Sequence, residues 1–254
     1  MSRDLFDVAG LHVLVTGATQ GIGRMIAEGF AGRGAAVTVT SRTESDCTAL
    51  AEALGEGAEA VAVDLSADDG ADALAARIAE RPLDVLVNNA GVTWGAPLEE
   101  YPDHAWDRVI GLNLKAPFKL TVACLPALRR AVRRRGRASV INIGSVDGLL
   151  VPRWESYAYS SSKAAMHHLT RHLAKRLAPE QITVNAVAPG VFPSRMTGRA
   201  FTDGESAEIV GATPLGRLGE ADDIAGAALY LASPAAGWVT GVVLPVDGGW
   251  GTLR

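Results

Sequence analysis

The chain alternates short, continuously apolar, β-branched runs with longer stretches rich in Ala, Leu and Arg, and this alternation constrains the fold more than any single motif. The runs are HVLVTG from His12, AVTVTS from Ala36, AEAVAVD from Ala58, LDVLVNN from Leu83, ASVINIG from Ala138, ITVNAVAPG from Ile182 and GVVLPVDGG from Gly241. A strand that is apolar at every position is buried on both faces, the condition of a parallel sheet covered by helices. The intervening stretches predict helices at about 21–33, 45–54, 67–80, 103–134, 157–178 and 221–232. Strands and helices in strict alternation build βαβ units, so the expected fold is α/β, a doubly wound parallel sheet. No linker, repeat or low-complexity tract divides residues 1–254, which predicts a single domain. The least regular segment, 190–218, is rich in Gly and Pro and reads either as a lid over a ligand or as an ordinary surface excursion.

Composition narrows the function. A net charge of -4 argues against nucleic acid as a partner, because phosphate binding needs a basic face. The two cysteines, Cys47 and Cys124, form no CxxC pair, which fits a reducing cytosol. The start, MSRDLFDVAG, is charged and is not a signal peptide, and no uncharged apolar stretch approaches the ~18 residues of a membrane span. The expectation is a soluble, cytoplasmic protein with no membrane partner.

Two sites of chemistry stand out. In VLVTGATQGIGR, Gly17, Gly21 and Gly23 fall directly after the first strand and at the start of a helix. Backbone N–H groups there can face a pyrophosphate, helped by the helix N-terminus. The spacing is GxxxGxG rather than the common GxGxxG, so a plain tight turn is the competing reading. The next strand ends in Ser41 and Arg42, with no acid before Glu44. A guanidinium pairs with a ribose 2′-phosphate, whereas an acid would repel it, so NADP(H) is preferred and NAD(H) is the alternative. Asp64, ending the third run, is placed to accept a hydrogen bond from an adenine amino group.

The second site is ESYAYSSSKAAMHHL, residues 155–169. Tyr159 and Lys163 are four apart and share a helix face; Tyr157, six before Lys163, lies near the opposite side. A fixed ammonium favours the phenolate and lowers a phenol's pKa, which suits Tyr159 to proton transfer at a carbonyl oxygen. Ser145 ends the strand beginning near Ala138, where ligands of open α/β sheets bind, and can donate to a developing alkoxide. The sequence around it, GSVDG, is not a nucleophile elbow.

Together these pieces resemble the short-chain dehydrogenase/reductase family. The matching motifs are TGATQGIG at 16–23, DL at 64–65, NNAG at 88–91, Asn113 in GLNLKAP, Ser145, YSSSK at 159–163 and NAVAPG at 185–190. The resemblance implies a seven-stranded Rossmann-type sheet and a catalytic set of Asn113, Ser145, Tyr159 and Lys163. In that set Tyr159 is the general acid/base, Lys163 holds the nicotinamide ribose, Ser145 orients the carbonyl, and Asn113 anchors a water that relays protons. It implies cofactor contacts at Gly17, Thr19, Gln20, Gly21, Ile22, Gly23, Ser41, Arg42, Asp64, Leu65, Asn89, Ala90, Gly91, Pro189, Gly190 and Ser194, besides Tyr159 and Lys163. Gln20 departs from the Arg or Lys of many NADP-preferring relatives, and Ser194 stands where Thr is frequent. Within the family the chain looks like the 3-oxoacyl-carrier-protein reductase branch. The implied activity is NADP(H)-dependent hydride transfer between nicotinamide and a carbonyl or secondary alcohol, with a carrier-protein- or CoA-linked substrate in view. The alternatives are an NAD-dependent alcohol, sugar or steroid dehydrogenase and a catalytically silent NADP(H)-binding protein.

Other features admit two readings each. RRAVRRRGR, 129–137, is a solvated helix end or a docking patch for an acidic carrier. His168 and His172 have i,i+4 spacing without an HExxH pattern, so no metal site is expected. Trp154, Phe192 and Met196 form an apolar substrate wall or pack in the core. The family resemblance implies that the C-terminal end and the long helices near 103–134 and 157–178 build dimers and tetramers, and a homotetramer is expected.

Overall fold

In a computed structural model, residues 4–193, 203–251 and 253 are described. Seven parallel strands form one sheet: β1 (His12–Thr16), β2 (Ala36–Ser41), β3 (Glu59–Ala62), β4 (Val85–Asn88), β5 (Ala138–Ile143), β6 (Ile182–Pro189) and β7 (Val243–Val246). Their order is β3-β2-β1-β4-β5-β6-β7, so the chain starts in the middle, runs to one edge and returns to build the other. The direction reverses between β1 and β4, the place where ligands of such sheets bind. Each predicted run contains a strand, and the seven-stranded parallel sheet is as expected.

The double burial has a simple origin. Alternate side chains of a strand point to opposite faces. Val13 and Val15 of β1 join one core, while Leu14 between them joins the other. Val85 and Val87 against Leu86 repeat the pattern in β4. Helices α1 (Gly21–Ala31) and α8 (Ala221–Ala232) cover the first face. Helices α3 (Gly70–Arg77), α5 (Ala116–Arg135) and α6 (Tyr157–Leu177) cover the second, and α2 (Glu44–Leu54) packs beside β2 and β3. No helix among the described residues is long and apolar enough to cross a membrane.

Two expectations change, and one of the two readings of the arginine run is set aside. The single helix predicted over 103–134 is two, α4 (Asp103–Ile110) and α5, joined by a π-helical turn at Gly111–Lys115. The segment 190–218 is not wholly irregular, since α7 (Asp203–Ala212) lies within it; residues 194–202, including Ser194 and Met196, lie outside the described residues. The arginine run is not a free docking patch. Arg129 grips Glu180 through two bonds of 2.7 and 3.2 Å, and Arg130 binds the Ala79 carbonyl. Arg134 reaches Asp84 at 2.6 Å, Arg135 donates to the Gly10 carbonyl at 2.7 Å, and Arg137 donates to the Ala232 carbonyl at 2.7 Å. This run also precedes β5, at the sheet edge opposite the end of β5 that leads to Ser145.

Glycine spacing in the first loop is dictated by packing. A Cβ on Gly23 would fall 2.3 Å from Asn89 Nδ2 and 2.4 Å from the Gly17 carbonyl oxygen. Gly226, inside α8, has nothing within 4 Å of its would-be Cβ. Gly23→Ala is therefore expected to destabilise the fold by about 1–3 kcal/mol. Gly226→Ala is expected to be neutral or to stabilise it by up to about 1 kcal/mol. Chemical denaturation of both variants checks the contrast.

Candidate active site

The cleft outside the carboxyl ends of β1, β2 and β4 encloses about 460 Å³ and is lined by Gly17, Thr19, Gln20, Arg42, Asp64 and Gly91, among others. Ser41, Leu65 and Ala90 also face it. Gly17 has φ of +62°, and a Cβ there would stand 2.9 Å from the Ala90 Cα. Gln20 caps α1 with extended backbone and without a side-chain bond, so the first N–H groups of the helix are left to a ligand. Those free donors, the glycine cradle and the cationic rim fit a dinucleotide. Asn89 and Gly23 do not line the cleft but build it. Asn89 Nδ2 donates to the Thr16 carbonyl at 2.8 Å and the Gly17 carbonyl at 3.1 Å. Thr16, missed in the sequence, accepts from Asn89 N at 2.9 Å and Ala90 N at 3.0 Å. Ile22 is half-buried and packs on the core.

Arg42 is exposed at the end of β2 with no ion pair among the described residues, and its charge is felt by Asp64. Ser66 holds the Asp64 carboxylate through 2.6 and 2.9 Å bonds, which with Arg42 lowers the Asp64 pKa. Ser41 is fixed from below, its N–H donating to Cys47 Sγ at 3.1 Å. The far wall carries Arg108, Lys115 and Lys119, which motif reading did not single out. At the other end of the site, Pro189 closes β6, and Gly190 donates to the Val246 carbonyl at 2.9 Å. A Cβ on Gly190 would lie 2.8 Å from Asp247 Cα.

The catalytic candidates converge where β5 ends. Lys163 is 5 % exposed, and its Nζ donates to the Ile143 carbonyl at 2.8 Å while lying 5.5 Å from the Tyr159 ring centroid. The Ser145 hydroxyl accepts from Asp147 N at 3.1 Å and is near enough to the Tyr159 phenol to oppose the rise of its pKa. Asn113 sits in the π-helical turn, buried, with Oδ1 accepting from Val92 N at 2.8 Å. Its Nδ2 donates to the Val92 carbonyl at 2.9 Å and to Ser162 Oγ at 3.1 Å. Ser162 in turn donates to the Tyr159 carbonyl at 2.6 Å. One network therefore links the cleft wall to the reactive helix. Tyr157 points elsewhere, bonded to Glu155 at 2.9 Å and stacked edge-on against Tyr101.

The electrostatics correct one expectation. In the protein by itself the Tyr159 phenol is not lowered but pushed up to about 12, first by burial and then by the Asp147 carboxylate, with Ser145 opposing. The residue as a whole is only half-buried. Lys163 itself is drawn down to about 8 by burial, with Asp147 opposing. Behind it, buried His167 is lowered to about 4, again by burial. Neither Asp147 nor His167 was visible as a site residue. His167 follows Lys163 by one helical turn, a spacing that marks the same face.

A buried apolar cluster adjoins this centre: Val146, Ile209 and Trp250, with Leu150, Trp154 and Leu218 packed against them. Trp154 packs against this buried cluster, and Phe192, 3 % exposed, packs in the core under Gly219. His168 and His172 are exposed on α6.

Comparison with known proteins agrees with this geometry. A family model described as enoyl-(acyl carrier protein) reductase matches residues 17–251. A rhamnolipid-biosynthesis 3-oxoacyl-[acyl-carrier-protein] reductase of Pseudomonas aeruginosa is 44% identical over 250 residues, 96% of this chain and 98% of that one. A 2-dehydro-3-deoxy-D-gluconate 5-dehydrogenase of Bacillus subtilis is 38% identical, covering 98% of this chain and 97% of that one. Among solved structures, the Pseudomonas aeruginosa RhlG/NADP active-site complex superposes with a TM-score of 0.93 at 42% identity, over 98% of this chain and 100% of that one. With the fold, the glycine cradle and the Ser145–Tyr159–Lys163 centre in place, the chain belongs to the short-chain dehydrogenase/reductase family.

Proposed function

We propose that the protein is an NADPH-dependent carbonyl reductase whose substrate is a 3-oxoacyl thioester. The observation that carries the reaction class is the convergence of Ser145, at the end of β5, and Tyr159 on α6 with buried Lys163, whose Nζ lies 5.5 Å from the Tyr159 ring centroid and is fixed by the Ile143 carbonyl. The buried cluster of Val146, Ile209 and Trp250 gives this end of the site an apolar backing, which suits an acyl chain better than a sugar acid. The relatives that act on 3-oxoacyl-carrier-protein substrates point the same way.

When bound, NADPH supplies the hydride to the carbonyl carbon. Gly17, Thr19 and the uncapped start of α1 hold its pyrophosphate, and Arg42 with Ser41 receives the 2′-phosphate. Ser145 donates to the carbonyl oxygen and polarises it. Tyr159 gives its phenolic proton to that oxygen as the alcohol forms. Lys163 stabilises the phenolate left behind, since its ammonium lies one helical turn away. Asn113 has both amide hydrogens committed, so its side chain braces Val92 and Ser162. Any water it anchors is held by main-chain carbonyls loosened in the π-helical turn. A carrier-linked substrate enters from this edge of the sheet, not from the arginine run. The protein works in the cytoplasm as a homotetramer.

Tyr159→Phe is expected to lower turnover of acetoacetyl-N-acetylcysteamine by about a hundredfold or more while NADPH still binds. Tyr157→Phe should retain most activity; steady-state assays with fluorescence titration of NADPH check both. Arg42→Leu should raise the KM for NADPH about tenfold or more and leave that for NADH unchanged, measured with the same ketone. A panel of acyl thioesters, crotonyl thioester, keto sugar acids and cyclic ketones tests the substrate class. Faster turnover of the crotonyl or sugar-acid members would displace the 3-oxoacyl reading.

A further inference from the structure

The turn that carries Ser145 is bracketed by two glycines, Gly144 and Gly148, and both lie on one side chain of α6, His167. A Cβ on Gly144 would overlap His167 Nε2 and stand 2.7 Å from Cδ2. A Cβ on Gly148 would stand 2.8 Å from His167 Cε1 and 2.6 Å from the Lys163 carbonyl carbon. Between these contacts the turn closes on itself. The Gly148 N–H donates to the Ser145 carbonyl at 3.0 Å, and the Asp147 N–H donates to Ser145 Oγ at 3.1 Å. The Gly144 N–H ties the start of the turn to the Val187 carbonyl of β6 at 2.7 Å. The imidazole, 3 % exposed, occupies the space that side chains at 144 and 148 would otherwise need.

We propose that His167 is a positioning residue: its flat ring seats the Gly144–Gly148 turn on α6 and so sets where Ser145 presents its hydroxyl to the substrate carbonyl. The proposal rests on the reading of Ser145 as the group that orients that carbonyl. Lys163, one helical turn before His167, donates to the Ile143 carbonyl at 2.8 Å. Consecutive turns of the helix therefore grip Ile143, Gly144 and Gly148. The same helix carries Tyr159. Ser145 and Tyr159 are thereby held in one frame although they come from different elements.

Stability by itself does not call for a histidine here. Neither ring nitrogen makes a hydrogen bond of full geometry among the described residues, although the Gly148 main chain lies close enough to weigh on its charge. A buried polar group without a full partner costs stability that an aliphatic side chain would not. Burial draws the His167 pKa down to about 4, so near neutral pH the ring adds no second charge beside Lys163. What the imidazole offers is shape, a planar ring that lies against two glycines at once. Interiors are close-packed, so emptying that space lets the turn settle differently. A shift of about 1 Å in a positioned group can cost about a hundredfold in rate.

The test is a double-mutant cycle between His167→Ala and Ser145→Ala. Each protein is measured for turnover of acetoacetyl-N-acetylcysteamine, at enzyme concentrations that resolve the residual rate, for NADPH affinity by fluorescence titration, and for its unfolding midpoint. With Ser145 present, His167→Ala should lower kcat about tenfold or more and leave the Kd for NADPH within about twofold. In Ser145→Ala the same substitution should cost less than about twofold more, because the group it positions is gone. His167→Leu keeps the volume but not the planar shape; it should fold, lose about fivefold in kcat, and serve if the alanine variant folds poorly. A purely structural histidine would shift the unfolding midpoint and leave kcat of the folded protein unchanged. That result, or losses that multiply in the double mutant, would overturn the proposal. Wild-type turnover in Ser145→Ala alone would reject the Ser145 reading and the proposal with it. An impaired Ser145→Ala beside an unimpaired His167→Ala would reject the proposal and leave the Ser145 reading standing.

Discussion

Lys163 carries a charge into a place where water scarcely reaches, and the site is arranged around making that tolerable. A buried ammonium costs several kcal/mol unless hydrogen bonds and opposite charge compensate it. Here the compensation is the Ile143 carbonyl at 2.8 Å, supplied by the last residue of β5, and the charge of Asp147. Both come from the same strand and the turn that follows it, which is why Ser145 sits where it does. Without the parallel sheet delivering a strand end at this point, neither the lysine nor the serine has a fixed position.

The same constraint explains the unusual backbone. Asn113 braces the helix that carries Lys163 by way of Ser162, and it reaches Val92 at the end of the β4 loop. That reach is made by a π-helical turn between α4 and α5. An extra residue in a helical turn costs hydrogen-bond quality, and such turns are found where a side chain has to be aimed. The glycine loop is solved similarly by close contact, since Gly17 and Gly23 leave no room for a Cβ beside Ala90 and Asn89. Cofactor cleft and reactive helix are thus two ends of one hydrogen-bonded framework.

Much of this was legible in the sequence. Continuous apolar runs predicted a doubly buried sheet because burial on both faces leaves no polar alternation. The four-residue spacing picked Tyr159 over Tyr157, and the structure turns Tyr157 away to Glu155. What could not be read was anything set by contacts distant in sequence. A single glycine, Gly111, is the sole local signal in GLNLK and does not by itself end a helix, so the interruption at Gly111–Lys115 is explained only once Asn113 finds Val92, 21 residues earlier. Spacing showed a lysine near the phenol but not the burial around it, nor the Asp147 turn folded over α6. The direction of the phenol shift was accordingly misjudged. The arginine run read as surface charge because its partners, Glu180, Asp84 and the carbonyls of Gly10 and Ala79, lie on other elements.

The central claim is that the buried Lys163 charge serves proton transfer through Tyr159 rather than folding alone. Single-turnover hydride transfer from NADPH to acetoacetyl-N-acetylcysteamine, followed by loss of cofactor fluorescence in Lys163→Met, tests it most directly. With folding verified by circular dichroism and cofactor saturating, the account predicts a fall of about a hundredfold or more. A Lys163→Met protein that folds, binds NADPH and transfers hydride at the wild-type rate would contradict it.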